Sequence, residues 1–138
     1  MKYGFSILCL LFMLVACSSP DNTPPSIEGE ASELLGMWLM ESVIQDTVDV
    51  TDDHNPASNR WLAINQDGSF ESGGTPYGYN SGKWSYNVEG KELYLDSDTG
   101  EGDDSYWIVS LSDSTMEWKG TRSEFTAQFT ITHKKKGF

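Results

Sequence analysis

The sequence predicts an all-β domain, an up-and-down antiparallel β-barrel of about eight strands, and three observations predict it. From Gly36 onward, apolar residues recur at every second position in short runs, the period of a strand with one wet face. The runs are divided by short turn-forming stretches, among them Gln66-Asp67-Gly68-Ser69, Val88-Glu89-Gly90-Lys91 and Leu111-Ser112-Asp113-Ser114. Such connections join antiparallel neighbours as hairpins. Beyond an opening turn, no stretch sustains a helical period. Sequential hairpins close economically into a barrel, which removes exposed edges, whereas a two-sheet sandwich needs longer crossing connections.

Residues 1–16, MKYGFSILCLLFMLVA, place Lys2 ahead of an apolar run from Tyr3 to Val15 and a small residue before Cys17. That is the layout of a secretory signal, and the run falls short of the roughly 20 residues a membrane-crossing helix needs. Residues 17–31 then form a proline-containing, largely polar segment that cannot bury enough surface to offset its ordering entropy. As a coil it reaches roughly 20 Å, and about 40 Å when extended. The folded domain is expected over residues 32–138, opening with one capped turn over Ser32-Glu33-Leu34-Leu35.

Strands are expected over 36–45, 60–66, 69–73, 82–88, 91–96, 105–112, 115–119 and 125–133. Alternation assigns one face to the core. It collects Trp38, Met40, Ile44, Leu62, Ile64, Phe70, Trp84, Tyr86, Leu93, Leu95, Trp107, Val109, Leu111, Met116, Trp118, Phe125, Ala127, Phe129 and Ile131. The other face is largely polar, but it also carries Met37, Leu39, Val43, Trp61, Tyr94, Tyr106 and Ile108. Some of these are expected to lie beneath Ile27, Leu34 and Leu35, and the remainder form a contact surface for a partner.

The interior suggests what could be bound there. An eight-stranded barrel is wide enough to be filled by its own side chains or to hold one small ligand. The inward aromatic residues therefore have two readings, core filling or ligand lining. The lining set is Trp38, Met40, Trp84, Tyr86, Trp107, Trp118 and Phe129. With no Asp, Glu, Lys or Arg on the inward list, an interior ligand is expected to be neutral and apolar. The one histidine candidate on that list is His133, at a strand end, and His54 lies in the 46–59 loop; two lone histidines with no third ligand read as surface residues and not as a metal site.

Three other segments bear on function. Asp96, Asp98, Glu101, Asp103 and Asp104 crowd one hairpin connection and offer oxygen ligands to a hard cation. The calcium-loop pattern fails because Gly100 replaces a ligand, so the segment reads as a solvated tip and these acids are only weak metal candidates. Tyr77 and Tyr79, set in a glycine-rich loop, suit recognition of a glycan or a protein, or simply cover the barrel mouth. The net charge of −12 argues against nucleic acid and against adhesion to anionic lipid. Without a nucleophile elbow, metal-ligand cluster or inward carboxylate pair, no enzyme, cofactor or metal is expected.

Two resemblances extend this reading. Leu14-Val15-Ala16-Cys17 resembles the bacterial lipobox, which implies cleavage before Cys17, a lipid on its sulfur and acylation of the new amino terminus. Removal of Cys9 with the signal would leave no free thiol, and two or more acyl chains would hold the protein at the membrane. Ser18 after that cysteine is similar to the outer-membrane sorting pattern. Gly36-Met37-Trp38 at the first strand, with Asp67-Gly68-Ser69-Phe70, Gly82-Lys83-Trp84-Ser85-Tyr86 and Leu93-Tyr94-Leu95, resembles the small lipocalin-like domains of bacterial envelope lipoproteins. That resemblance implies non-catalytic binding of a small hydrophobic ligand, with binding of another envelope protein or a glycan as the alternative.

Overall fold

The computed structural model describes residues 29–100, 104–121 and 127–137. The signal, Cys17, Glu101, Asp103 and Phe125 lie outside the described residues.

The alternation read from the sequence becomes nine strands among the described residues. In chain order they are β1 (Gly36–Gln45), β2 (Val48–Asp49), β3 (Trp61–Ile64), β4 (Ser69–Gly73), β5 (Asn80–Asn87), β6 (Glu92–Ser97), β7 (Ser105–Ser112), β8 (Thr115–Thr121) and β9 (Gln128–Lys135). Each of β3 to β8 pairs antiparallel with the next, β3 pairs with β1, and β1 pairs with β9, which closes an eight-stranded barrel. The short β2 is an addition, attached to the end of β1 through Ile44↔Asp49 and Gln45↔Val48.

Most of the expected inward face is the core. Trp38, Leu62, Ile64, Phe70, Trp84, Leu93, Leu95, Val109, Met116, Trp118 and Phe129 are buried, and Tyr86, Trp107, Leu111 and Ile131 pack half-buried against the cluster. The expectation fails along β1. Met40 faces His133 and Ser42 faces Thr132, so Glu41 is an extra residue, a bulge that reverses the alternation beyond it. Val43, expected outside, is 1% exposed, and Ile44, expected inside, is half-buried.

The barrel ends also differ from the sequence reading. The opening turn, α1, covers Glu30–Glu33 and so begins in the expected tether; Ser32 does not cap it but donates its hydroxyl to the Gly29 carbonyl at 2.6 Å. Leu34 is not an outer cover but a fully buried part of the core. In the 46–59 loop, a second turn, α2 (Thr51–His54), is fixed by Asp49, whose carboxylate accepts from the Thr51 amide at 2.9 Å and hydroxyl at 2.6 Å. Beyond it Asn55 is buried: its amide donates to the Met40 carbonyl, and its Oδ1 accepts from the Asn59 and Arg60 amides, each at 3.0 Å. That one side chain fixes where β3 begins.

Candidate binding site in the barrel interior

Four tryptophans were expected inside, and their indole N–H groups have two different fates. An indole nitrogen is a donor only, so burying it without an acceptor is costly. Trp38 donates to the Leu34 carbonyl at 2.8 Å, and Trp84 donates to the Asn65 carbonyl at 2.9 Å. The Nε1 atoms of Trp107 and Trp118 are buried with no hydrogen-bond partner among the described residues.

Trp107 and Trp118 lie side by side on β7 and β8, their rings stacked with centroids 5.3 Å apart. Gly120 makes room for this pair: a Cβ there would sit 2.8 Å from the Trp107 ring. On β9, His133 continues the column, 4.4 Å from the Trp118 ring and only 2% exposed. Its Nδ1 is a third buried atom without a partner. Burial, and then the positive charge of Arg60, push the imidazole down to about 3, while a backbone hydrogen bond at Met116 acts the other way.

Arg60 corrects the expectation of an interior remote from any charge. Half-buried just before β3, it directs Nη1 to the Met40 sulfur at 3.6 Å and to the His54 carbonyl at 3.4 Å. Its guanidinium lies 4.7 Å from the centre of the Tyr77 ring. The Tyr77 hydroxyl and His54 Nδ1 are 2.9 Å apart, and the His54 ring meets Phe129 edge-on at 5.9 Å. The 74–78 loop is drawn onto this mouth where Thr75 N–H donates to Asn59 Oδ1 at 2.8 Å. Gly74 permits that approach, since a Cβ there would stand 2.5 Å from the Asn59 carbonyl. His54, expected as a lone surface residue, thus joins α2, the tyrosine loop and β9.

The expected site residues therefore separate. Trp107 and Trp118 belong to the unpartnered column, Met40 and Phe129 to the mouth contacts. Trp38 and Trp84 have their N–H groups bonded, and Tyr86 is turned to α1, its hydroxyl donating to Glu30 at 3.3 Å. Burial and the Glu30 charge raise the pKa of that hydroxyl. The two loop tyrosines do not act as a pair: Tyr79 donates to Glu71 at 2.7 Å, a bond that raises its pKa, while Tyr77 stays with His54. Arg60 and Asn55 went unrecognised in the sequence, and His133, read there as a surface residue, is buried because its place on β9 turns it to the interior. The only local signal was that Arg60 shares the parity of Leu62 and Ile64.

Two described acids of the 96–104 connection are engaged in internal bonds. Asp104 accepts from the Ser97 amide at 2.8 Å and from the Tyr94 hydroxyl at 3.0 Å, which pushes the Tyr94 pKa up to about 12. Asp98 accepts from the Ser81 hydroxyl at 2.9 Å. Among the described residues no three His, Cys, Asp or Glu side chains gather in a metal-binding group. At the opposite end, Glu33, Trp38, Leu111, Ser112, Asp113 and Lys135 line a surface cleft of about 300 Å³. Lys135 lies across it, 5.1 Å from the Trp38 ring centre and bonded to the Glu33 carbonyl at 3.3 Å.

No family model matches the chain, and no curated protein does. Among solved structures, the chain is similar to the crystal structure of a DUF4847 family protein from Bacteroides vulgatus, with a TM-score of 0.50 and 9% sequence identity. The match covers 75% of this chain and 96% of that one. At this identity the likeness is one of fold.

Proposed function

We propose that this chain is a non-catalytic binding protein of the bacterial envelope, anchored through acyl chains on Cys17, whose barrel takes up a small, mainly apolar molecule. The observation that carries the binding reading is the Trp107–Trp118–His133 column. Its three polar atoms are buried without partners among the described residues, and a protein that only filled its core would gain nothing from leaving them so. A neutral imidazole with its pKa near 3 is a poor base at neutral pH, which supports a non-catalytic role. Native mass spectrometry of protein taken from its own host is expected to show a small molecule bound at one per chain. An empty protein that also fails to take up any small hydrophobe would end this reading.

The anchor rests on LVAC and the polar segment after it. Cys17→Ser is expected to leave the precursor unprocessed and abolish acyl labelling; unchanged labelling would refute it. The outer membrane is the proposed location, on the strength of Ser18.

A second reading, docking of another envelope protein on the outer face, has its own support. Tyr94 and Tyr106 stack across β6 and β7 with centroids 4.2 Å apart, beside an exposed Ile108. Crosslinking in intact cells should capture a defined partner that Tyr106→Ser releases. Equal capture by both proteins would exclude this face.

A further inference from the structure

We infer that residues 74–78 form a flap over the barrel mouth, latched by Tyr77 on His54 and Arg60, and that a ligand passes beneath this flap to reach the interior. This gives the binding reading above its route of entry and rests on it.

The two ends of the barrel are built differently. At the end that carries α1, Leu34 is fully buried within the core cluster, and Trp38 donates to its carbonyl. That stopper runs directly into β1 and cannot lift without breaking the core. At the other end, the connection between β4 and β5 lies on the 54–60 segment through side chains. Thr75 N–H donates to Asn59 Oδ1 at 2.8 Å, and Asn59 Nδ2 donates to Thr75 Oγ1 at 3.4 Å. The Tyr77 hydroxyl and His54 Nδ1 are 2.9 Å apart, the two rings stack with centroids 6.1 Å apart, and the Arg60 guanidinium lies 4.7 Å from the Tyr77 ring centre. Contacts of this kind can part while the ladder hydrogen bonds of β4 and β5 stay intact.

The loop itself is made to move as a unit. Gly78 N–H donates to the Gly74 carbonyl at 2.9 Å, which closes the loop on itself. Both ends of that closure are glycines at positive φ, 109° and 74°, where the chain turns without a side chain to restrain it.

The latch also lies on a path inward. Tyr77 is 55% exposed; His54, against its inner side, meets Phe129, which is 8% exposed. Phe129 pairs across β8 and β9 with Gly120, the position whose missing side chain makes room for Trp107. Tyr77 is thus the outermost ring of a series that ends beside the Trp107–Trp118 stack.

The test uses purified full-length protein and the neutral fluorescent hydrophobe N-phenyl-1-naphthylamine, with uptake and release followed by stopped flow. A latch slows entry and exit alike, so Tyr77→Ala is expected to raise both rates about tenfold and to leave their ratio within about twofold. Tyr77→Phe, which keeps the ring but loses the hydroxyl, should give a smaller rise in both. Tyr79→Ala, on a tyrosine bonded away to Glu71, should change neither. Hydrogen exchange reads the flap without a ligand: the Thr75 amide should exchange faster than the paired amides of β3 and β4, and about tenfold faster again in Tyr77→Ala. Rates unchanged in Tyr77→Ala, a rise in release alone, equal acceleration by Tyr79→Ala, or a Thr75 amide that exchanges only with the strands would each overturn the flap while leaving interior binding intact. Failure of the wild-type protein to take up the probe at all would end the flap and the binding reading together.

Discussion

Trp38 and Trp84 on one side of the interior, and Trp107 and Trp118 on the other, are the same residue type on the same face of the same sheet. They nevertheless do different work. The first pair is locked: each N–H reaches a backbone carbonyl contributed by a turn, Leu34 after α1 and Asn65 before the Asp67-Gly68 turn. The second pair stacks against itself and against His133, with its donors unmet among the described residues. Inward aromatic residues thus divide into those whose polar atom is bonded within the protein and those whose polar atom is buried without a partner among the described residues.

The largest effect that could break this comparison is at Trp38. Trp38→Phe removes volume from a fully buried position and strands the Leu34 carbonyl, for an expected loss of about 2–4 kcal/mol in urea unfolding. A loss no greater than that of Trp118→Phe would erase the distinction between the pairs.

The next effect is read in acid. The pKa of His133 is depressed in the folded state, so the unfolded chain binds the proton more readily. Its stabilising contribution is complete above the unfolded value of 6.5 and is lost as pH falls toward about 3, at roughly 1.4 kcal/mol per pH unit at most. Unfolding measured between pH 6.5 and 4.5 should show that slope, and His133→Phe should flatten it. The carboxylates of Asp49 and Asp67, whose pKa values their bonds to Thr51 and Ser69 lower, lose their contributions only below that window. A wild-type stability independent of pH across the window would show that His133 is not held neutral by burial.

Trp118→Phe should cost little, within about 1 kcal/mol, because the packing it loses is offset by no longer burying an unpaired N–H. It should instead weaken ligand binding, a combination that separates a lining residue from a core residue. The smallest effect is expected at Tyr106→Ser on the outer face, within about 0.5 kcal/mol, since Tyr106 is 68% exposed. A larger loss would mean that the Tyr94–Tyr106 stack holds the barrel wall and is not a free surface.

Much of the fold was legible along the chain. The runs around Leu62, Phe70, Trp84, Leu93, Val109, Met116 and Phe129 lie on the strands and the face that their alternation predicts. The failures lie where alternation is interrupted or where a side chain replaces a backbone partner. Glu41 carries no mark that distinguishes a bulge from one more outward acid, yet it turns Val43 inward. The 46–59 loop reads as a polar connection because nothing local shows that Asn55 reaches back to Met40. The site was legible only in part: Trp107 and Trp118 stood among the expected lining residues, but so did Trp38, Trp84 and Tyr86, whose polar atoms are already engaged.

By itself the sequence determined the strand order, the hairpins and which face of each strand is apolar, because a period of two and the chemistry of tight turns are local properties of a chain. Only the tertiary structure decided that the first and last strands join, that Arg60 carries its charge toward His133, and which indoles lack a partner. Those are relations between residues far apart in the chain. A buried N–H takes its meaning from whatever atom folding brings opposite it, and no periodicity encodes that atom.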